Sequence, residues 1–388
     1  MIVREAAETV RILARGFRVV GILGPRQSGK TTLARAVFAD KPYVSLERPD
    51  VRRAAVEDPR GFLAQFPDGA VLDEAQRAPD LLSYIQVLVD DDPRPGRFVL
   101  TGSQNLALAA HVSQSLAGRM GLVELLPFSA AELVAAGRLP ATLDDALFTG
   151  GYPALYDQDV QAADWLGAYV QTYADRDVRQ LVNVHDLALF ERFLRLCAAN
   201  VGQMLNLARL GADCGLPHTT ARRWLTVLEA SYLVRLLPPY HVNFRKRLVK
   251  TPKLYFLDTG LAACLLGIRR PAELAWHPLR GALFENWVVA EAAKSFLNAG
   301  IRPPLYFWRD NTGHEVDLLI DRGGRMQPVE CKAGATRAGD WADGLRWWLA
   351  LAGRRAHDPT VVYGGDEPAV LSGVRYMPWR TAGGFDAG

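Results

Sequence analysis

Three groups of residues carry side chains whose type and spacing could do chemistry. The first is Gly24-Pro25-Arg26-Gln27-Ser28-Gly29-Lys30-Thr31, with Thr32 beginning the stretch that follows. It lies between a short apolar run, Val19 to Leu23, and a helix-forming stretch from Thr32 to Phe38. Strand, glycine loop and helix in that order let successive backbone N–H groups and the helix N-terminus wrap phosphates. In such a loop Lys30 reaches the β- and γ-phosphates, and the Thr31 hydroxyl completes a magnesium shell. A second apolar run, Ala70 to Leu72, ends in Asp73-Glu74. Asp73 is placed to hold Mg2+ and Glu74 to orient or deprotonate an attacking water. A carboxylate directly after the metal-binding aspartate suits hydrolysis of bound ATP better than transfer to a second acceptor. A third run, Arg97 to Thr101, leads into Gly102-Ser103-Gln104. Either Ser103 or Gln104 could touch the γ-phosphate and the water; a plain turn is the alternative.

The second group is near the C-terminus. Glu285 lies in a helical stretch, Gly281 to Val289, and Asp317 in the apolar run His314 to Ile320. Asp321-Arg-Gly-Gly324 then turns the chain into a run that holds Glu330 and Lys332. The glycine turn predicts a hairpin with Asp317 close to Glu330 across the ladder. Period-two alternation puts Glu330 and Lys332 on one face. Such a set could be catalytic or an ion-pair cluster in a half-buried hairpin.

The third group is basic. Between His218 and Leu257 there are eight Lys/Arg (Arg222, Arg223, Arg235, Arg245, Lys246, Arg247, Lys250, Lys253) against Glu229 alone, a local net of 8 − 1 = +7. Positive potential gathered on one face neutralises nucleic-acid phosphates without reading sequence. Arg222, Arg223, Arg245, Lys246 and Arg247 are the expected contacts to DNA. The interleaved Trp224, Tyr232, Tyr240 and Phe244 suit a core better than a base-stacking platform. A packing or protein-docking module is the other reading of this segment.

The elements that must position these groups follow from pattern. The 388 residues exceed what one core normally spans, and 49% apolar with 22% charged is an ordinary globular mix. A formal net charge of +3 on this length decides nothing about partners. Residues 129 to 184 read as helical, with a turn at Gly150-Gly-Tyr-Pro153, and the charged stretch Ala174 to Val178 as a solvated face. Leu205 to Cys214, a turn at Gly215-Leu-Pro217 and His218 to Ala230 form a helix-turn-helix, with Thr219 and Thr220 as expected caps. The first eighteen residues mix acids and arginines and do not read as a signal peptide; no apolar run is long enough for a membrane span. Cys197, Cys214, Cys264 and Cys331 fit neither a disulfide framework nor a zinc pattern, so the reducing cytoplasm is expected.

Together these stretches resemble AAA+ ATPases, and more closely the bacterial and archaeal type that joins an AAA+ module to a DUF4143 region. The residues concerned are Gly24 to Thr32, Leu72-Asp-Glu-Ala-Gln76, Leu100-Thr-Gly-Ser103, Leu116-Ala-Gly-Arg119, Leu126-Pro-Phe-Ser129, Gly150 to Pro153 and Tyr255 to Leu261. The resemblance implies an α/β fold with three parts. These are a P-loop core with an additional strand (1–128), a helical lid with a winged helix (129–257), and a C-terminal α/β domain (258–388). It implies a ring, a hexamer, in which Arg119 is a finger to the neighbour's nucleotide. The C-terminal part is similar to PD-(D/E)XK nucleases. There Asp317 and Glu330 would bind Mg2+ or Mn2+, Lys332 would orient water and Glu285 would add a carboxylate. A non-cutting domain that docks a protein partner is the other implication.

Overall fold

A computed structural model describes residues 2–103, 116–173, 187–240 and 250–385. The N-terminal part runs α1 (Ala6–Gly16), β1 (Val19–Leu23), α2 (Lys30–Val37), β2 (Tyr43–Ser45), α3 (Pro49–Glu57), α4 (Pro59–Ala64), β3 (Val71–Asp73), α5 (Leu81–Asp91), β4 (Phe98–Gly102) and β5 (Met120–Glu124). The five strands form one parallel sheet in the order β2-β3-β4-β1-β5, so β4 is the additional strand between the loop-bearing β1 and β3. Every residue of β1 is buried, as a central strand covered on both faces requires. Alternation divides its side chains: Val19 and Leu23 join the core under α3, α4 and α5, whereas Val20 and Ile22 join the one beneath α1 and α2.

The chain continues through α6 (Ala130–Ala135), α7 (Leu143–Thr149), α8 (Ala154–Asp157), α9 (Ala162–Tyr173), α10 (Leu187–Ala199), α11 (Leu207–Cys214) and α12 (His218–Ala230). The antiparallel pair β6 (Val234–Leu237) and β7 (Lys253–Phe256) completes a helix-turn-helix with wing strands. Asn206 caps α11, and Gly215 ends it in the left-handed region at φ 72°. The hydroxyl cap expected at α12 is absent. Pro217 precedes the helix, and Thr219 and Thr220 lie inside its first turn, because proline already presets the entry.

After α13 (Thr259–Leu265) and the long α14 (Arg280–Asn298) come β8 (Leu305–Arg309), β9 (Glu315–Asp321), β10 (Met326–Lys332), α15 (Asp343–Ala352), β11 (Thr360–Tyr363), β12 (Ala369–Leu371) and β13 (Val374–Pro378). Their sheet has the order β12-β13-β11-β10-β9-β8 and is mixed, with β10 parallel to β11. One face packs on α14 through Leu318, Ile320 and Val329, the other on α15 through Leu319 and Met326. A single hydrophobic cluster extends from Ala130 to Phe385, across the expected boundary at 257/258.

Buried polar contacts lock the parts together. The guanidinium of Arg4 donates to Glu132 Oε1 (2.9 Å), the Ser28 carbonyl (2.7 Å) and the Leu126 carbonyl (2.6 Å). Glu132 closes a capping box with Ser129 at the start of α6. From the other side Lys294 donates to the Phe128 carbonyl (2.9 Å) and Glu291 (2.7 Å), whose second oxygen accepts the Ala130 N–H (2.6 Å). Asp258 accepts the Gly151 N–H (2.7 Å) while capping α13. A Cβ at Gly150 would fall 2.2 Å from that carboxylate. Breaking one partner of a buried ion pair leaves the other charge uncompensated, at a cost of about 3–5 kcal/mol. Arg4→Met is therefore expected to lower unfolding stability by roughly that amount, read by urea denaturation, with α6 the first region to lose amide-exchange protection.

Candidate functional sites

The sheet delivers the first site at the carboxyl ends of β1, β3 and β4. Gly24 leaves β1 with φ 153°, and a Cβ there would meet the Leu125 carbonyl oxygen at 2.0 Å, so no larger residue fits this close crossing. Gln27 (φ 60°) and Gly29 (φ 91°) shape the rest of the loop. Lys30, buried at the start of α2, spans the loop to the Pro25 carbonyl (2.6 Å). The Ser28 hydroxyl is fully buried without a hydrogen-bond partner, a donor in want of an acceptor inside the loop.

Asp73 ends β3 and is the hub of the site. Its Oδ1 accepts from Thr31 Oγ1 (2.8 Å) and from Thr101 Oγ1, and its Oδ2 from the Tyr43 hydroxyl (2.8 Å). Burial and this carboxylate push the Tyr43 hydroxyl up to about 12, so it stays a donor. A hydroxyl and a carboxylate held together at the loop mouth are hard-oxygen donors, which fits Mg2+ beside phosphates. Glu74 follows in the left-handed region at φ 57°. Its Oε2 accepts from Gln76 Nε2 and from Ser103 Oγ (3.2 Å), and Gln76 also donates to Ser103 (3.2 Å). Glu74 faces a cavity of about 400 Å³ bounded by Arg26, Gln27, Glu47 and Tyr169 and Tyr173 of α9. An apolar cleft of about 240 Å³ opens on the other side of Gly29 and Thr32, lined by Ile2, Val3, Phe128 and Pro153. Ser103 is thus at Glu74; Gln104 lies outside the described residues.

Arg119 sits at the amino end of β5, where its carbonyl accepts the Val19 N–H. The loop begins at the other end of β1, about 15 Å along a five-residue strand. Within the chain its guanidinium grips Asp90 through two contacts of 2.7 Å. On α12, Arg222, Arg223 and Thr226 are exposed, while Trp224 packs between Phe190 and Phe193. Arg245, Lys246 and Arg247 lie outside the described residues, as do Phe244 and the stretch 174–178. Two of the eight cations are drawn away from the exposed face of α12. Arg235 is half-buried in an open pocket with Glu124 and Glu229, and Lys253 is buried.

The hairpin register pairs Asp321 with Met326 and Leu318 with Val329, and its continuation sets Asp317 opposite Glu330. Asp317 Oδ2 accepts the Cys331 N–H (2.9 Å), and Lys332 pairs with Glu330 (2.8 Å). Glu285 joins them from α14. Sequence reasoning missed two further members: Lys253 donates to Glu285 (2.8 Å) and pairs with Glu315, and the Tyr255 hydroxyl donates to Glu285. Among the described residues no group of three or more His, Cys, Asp or Glu is arranged to hold a metal. Asp317 and Glu330, the expected metal pair, each engage one protein donor through a single oxygen.

Burial, then the Asp317 carboxylate, pushes Glu285 up to about 7 and Glu330 up to about 8 from the ordinary 4.5. The folded chain therefore keeps protons that the unfolded chain releases above 4.5, and stability falls as pH rises through the window to about 8. Thermal melts across that range are expected to show a declining midpoint, with part of the decline lost in Glu330→Gln.

Sequence comparison places these sites among relatives. Residues 16–134 match an AAA domain of the AAA_14 type, residues 140–272 a domain of unknown function (DUF8612) and residues 280–382 a domain of unknown function (DUF4143). The uncharacterized proteins Rv2008c of Mycobacterium tuberculosis and Mb2031c of Mycobacterium bovis are each 34% identical over 337 residues, 86% of this chain and 74% of theirs. The solved Walker-type ATPase PABY2304 of Pyrococcus abyssi is similar at 15% identity and a TM-score of 0.45, covering 67% of this chain and 94% of that one. No helix among the described residues is long and apolar enough to cross a membrane. With these matches over a P-loop sheet of this strand order, the chain belongs to the AAA+ ATPases of the AAA_14/DUF4143 type.

Proposed function

We propose that this chain binds ATP with Mg2+ and hydrolyses it, in a ring whose turnover is coupled to DNA. The observation that carries the reading is the 2.8 Å contact of Thr31 with Asp73 at the loop mouth, with Glu74 beside it. The loop N–H groups and Lys30 hold the phosphates, and the apolar cleft by Gly29 suits a base. Mg2+ there would neutralise charge developing on the phosphate oxygens. Glu74 takes the proton of the attacking water once its carboxylate leaves Gln76 and Ser103. Gln76 and Ser103 thus keep the base off the substrate position until the site closes.

Arg119 lies at the far end of β1 from its own loop, which supports a role at a neighbour's nucleotide. Exchange of Asp90 for phosphate is the switch this requires. The exposed arginines of α12 support contact with DNA, as helix-turn-helix modules present their second helix. The reading in which the C-terminal domain docks a partner and does not cut is favoured by the lysine among its carboxylates.

Lys30→Ala is expected to lose ATP binding, whereas Glu74→Gln keeps binding and loses turnover by about 10²–10⁴-fold; full turnover in Glu74→Gln refutes the base assignment. Sedimentation with ATP and Mg2+ should show a ring, and a monomer under those conditions overturns the role of Arg119. Arg222→Ala with Arg223→Ala should weaken DNA binding uniformly across sequences and lower its salt dependence.

A further inference from the structure

The C-terminal carboxylate cluster has a resident cation of its own. Lys253 belongs to wing strand β7, not to the domain that supplies Glu285, Asp317 and Glu330. Its side chain is only 4% exposed. The ammonium lies 2.8 Å from Glu285 Oε1, pairs with Glu315, and stands over the Phe307 ring at 5.4 Å. Glu315 is held in turn by Arg309 at 3.0 Å. Tyr255, two residues along the same strand, reaches Glu285 as well. Alternation explains why both do so: residues 253 and 255 share one face of β7.

The other two carboxylates also engage protein donors, each through one oxygen. Asp317 accepts a backbone N–H from Cys331, and Glu330 holds Lys332. A Cβ at Gly202 would lie 3.5 Å from Glu285 Oε2, and one at Gly344 would lie 3.7 Å from Glu330 Oε2. Backbone from the helical module and from α15 thus lies beside two of the carboxylates. A divalent ion would need several of these oxygens with free lone pairs and room for water. It would also stand against an ammonium that the fold holds in place.

We infer that Lys253 fills the position a divalent metal would need, so that the cluster is an ion-paired joint between the winged helix and the C-terminal sheet. It binds no Mg2+ or Mn2+ while the wing strand is seated. The inference stands on the contacts of this cluster and is independent of ATP hydrolysis.

Mn2+ binding followed by paramagnetic resonance tests it on the full chain. The background carries Asp73→Asn, so that the phosphate-loop carboxylate contributes nothing. That chain is expected to show no bound Mn2+. Adding Lys253→Met, or the polar Lys253→Gln if the first does not fold, is expected to create one Mn2+ site per chain. Adding Asp317→Asn should abolish that site again. A Mn2+ site in the chain with Lys253 intact, lost on Asp317→Asn, overturns the inference. So does a folded Lys253 variant that gains none, because exclusion would then have another cause. ATP turnover of the Lys253 variant with Asp73 restored is a separate readout, and its value bears only on the proposed hydrolysis.

Discussion

The short segment that leaves β5, from Leu126 to Glu132, is held from two sides by charges that have left water. Arg4 grips its start and its end while also taking the Ser28 carbonyl of the phosphate loop. Lys294 and Glu291 of α14 grip its middle. Buried charges are tolerable only when paired and hydrogen-bonded, and each of these is. The consequence is mechanical: the loop that holds phosphates and the helix that backs the C-terminal sheet are three contacts apart. Packed contacts thus run without a break from the loop to α14 and into the hydrophobic cluster from Ala130 to Phe385.

A second buried ionic group works by a different logic. Around Glu285 the acids outnumber their nearest cations, and burial raises their proton affinity instead of being offset outright. Lys253 and Tyr255 lend donors from another part of the chain, so the pairing has directional value beyond its modest net stability. An apolar contact of the same area would hold the wing strand as firmly. It would not fix its register, because one residue of slip would turn Lys253 and Tyr255 to the other face.

What the sequence revealed depended on distance along the chain. The phosphate loop was legible because strand, glycines, lysine and helix are adjacent and each has a local physical reason. The hairpin was legible for the same reason: a glycine turn fixes which residues oppose one another, and Asp317 and Glu330 followed. Arg4 was invisible, since its ion-pair partner is 128 residues away and no local pattern marks a buried arginine. Tyr43 and Thr101 were silent as partners of Asp73, because the strand order that brings β2 and β4 beside β3 is a tertiary fact. Lys253 was counted as part of a basic surface, and a charge count cannot tell which face of a strand a residue occupies. Arg235 misled in the same way.

The fit between Gly150 and Asp258 has a consequence for the family's history. The glycine is left-handed at φ 70° and lies so near the carboxylate that any side chain would strike it, while that carboxylate holds the next residue's N–H. Neither position can drift alone. Among relatives the pair should be inherited as one character, absent or present together, though 107 residues separate the carboxylate from the amide it holds. Lineages that lost the aspartate would relieve the clash but not the backbone constraint at position 150, and their seam between α7 and α13 would have to be rebuilt from other contacts.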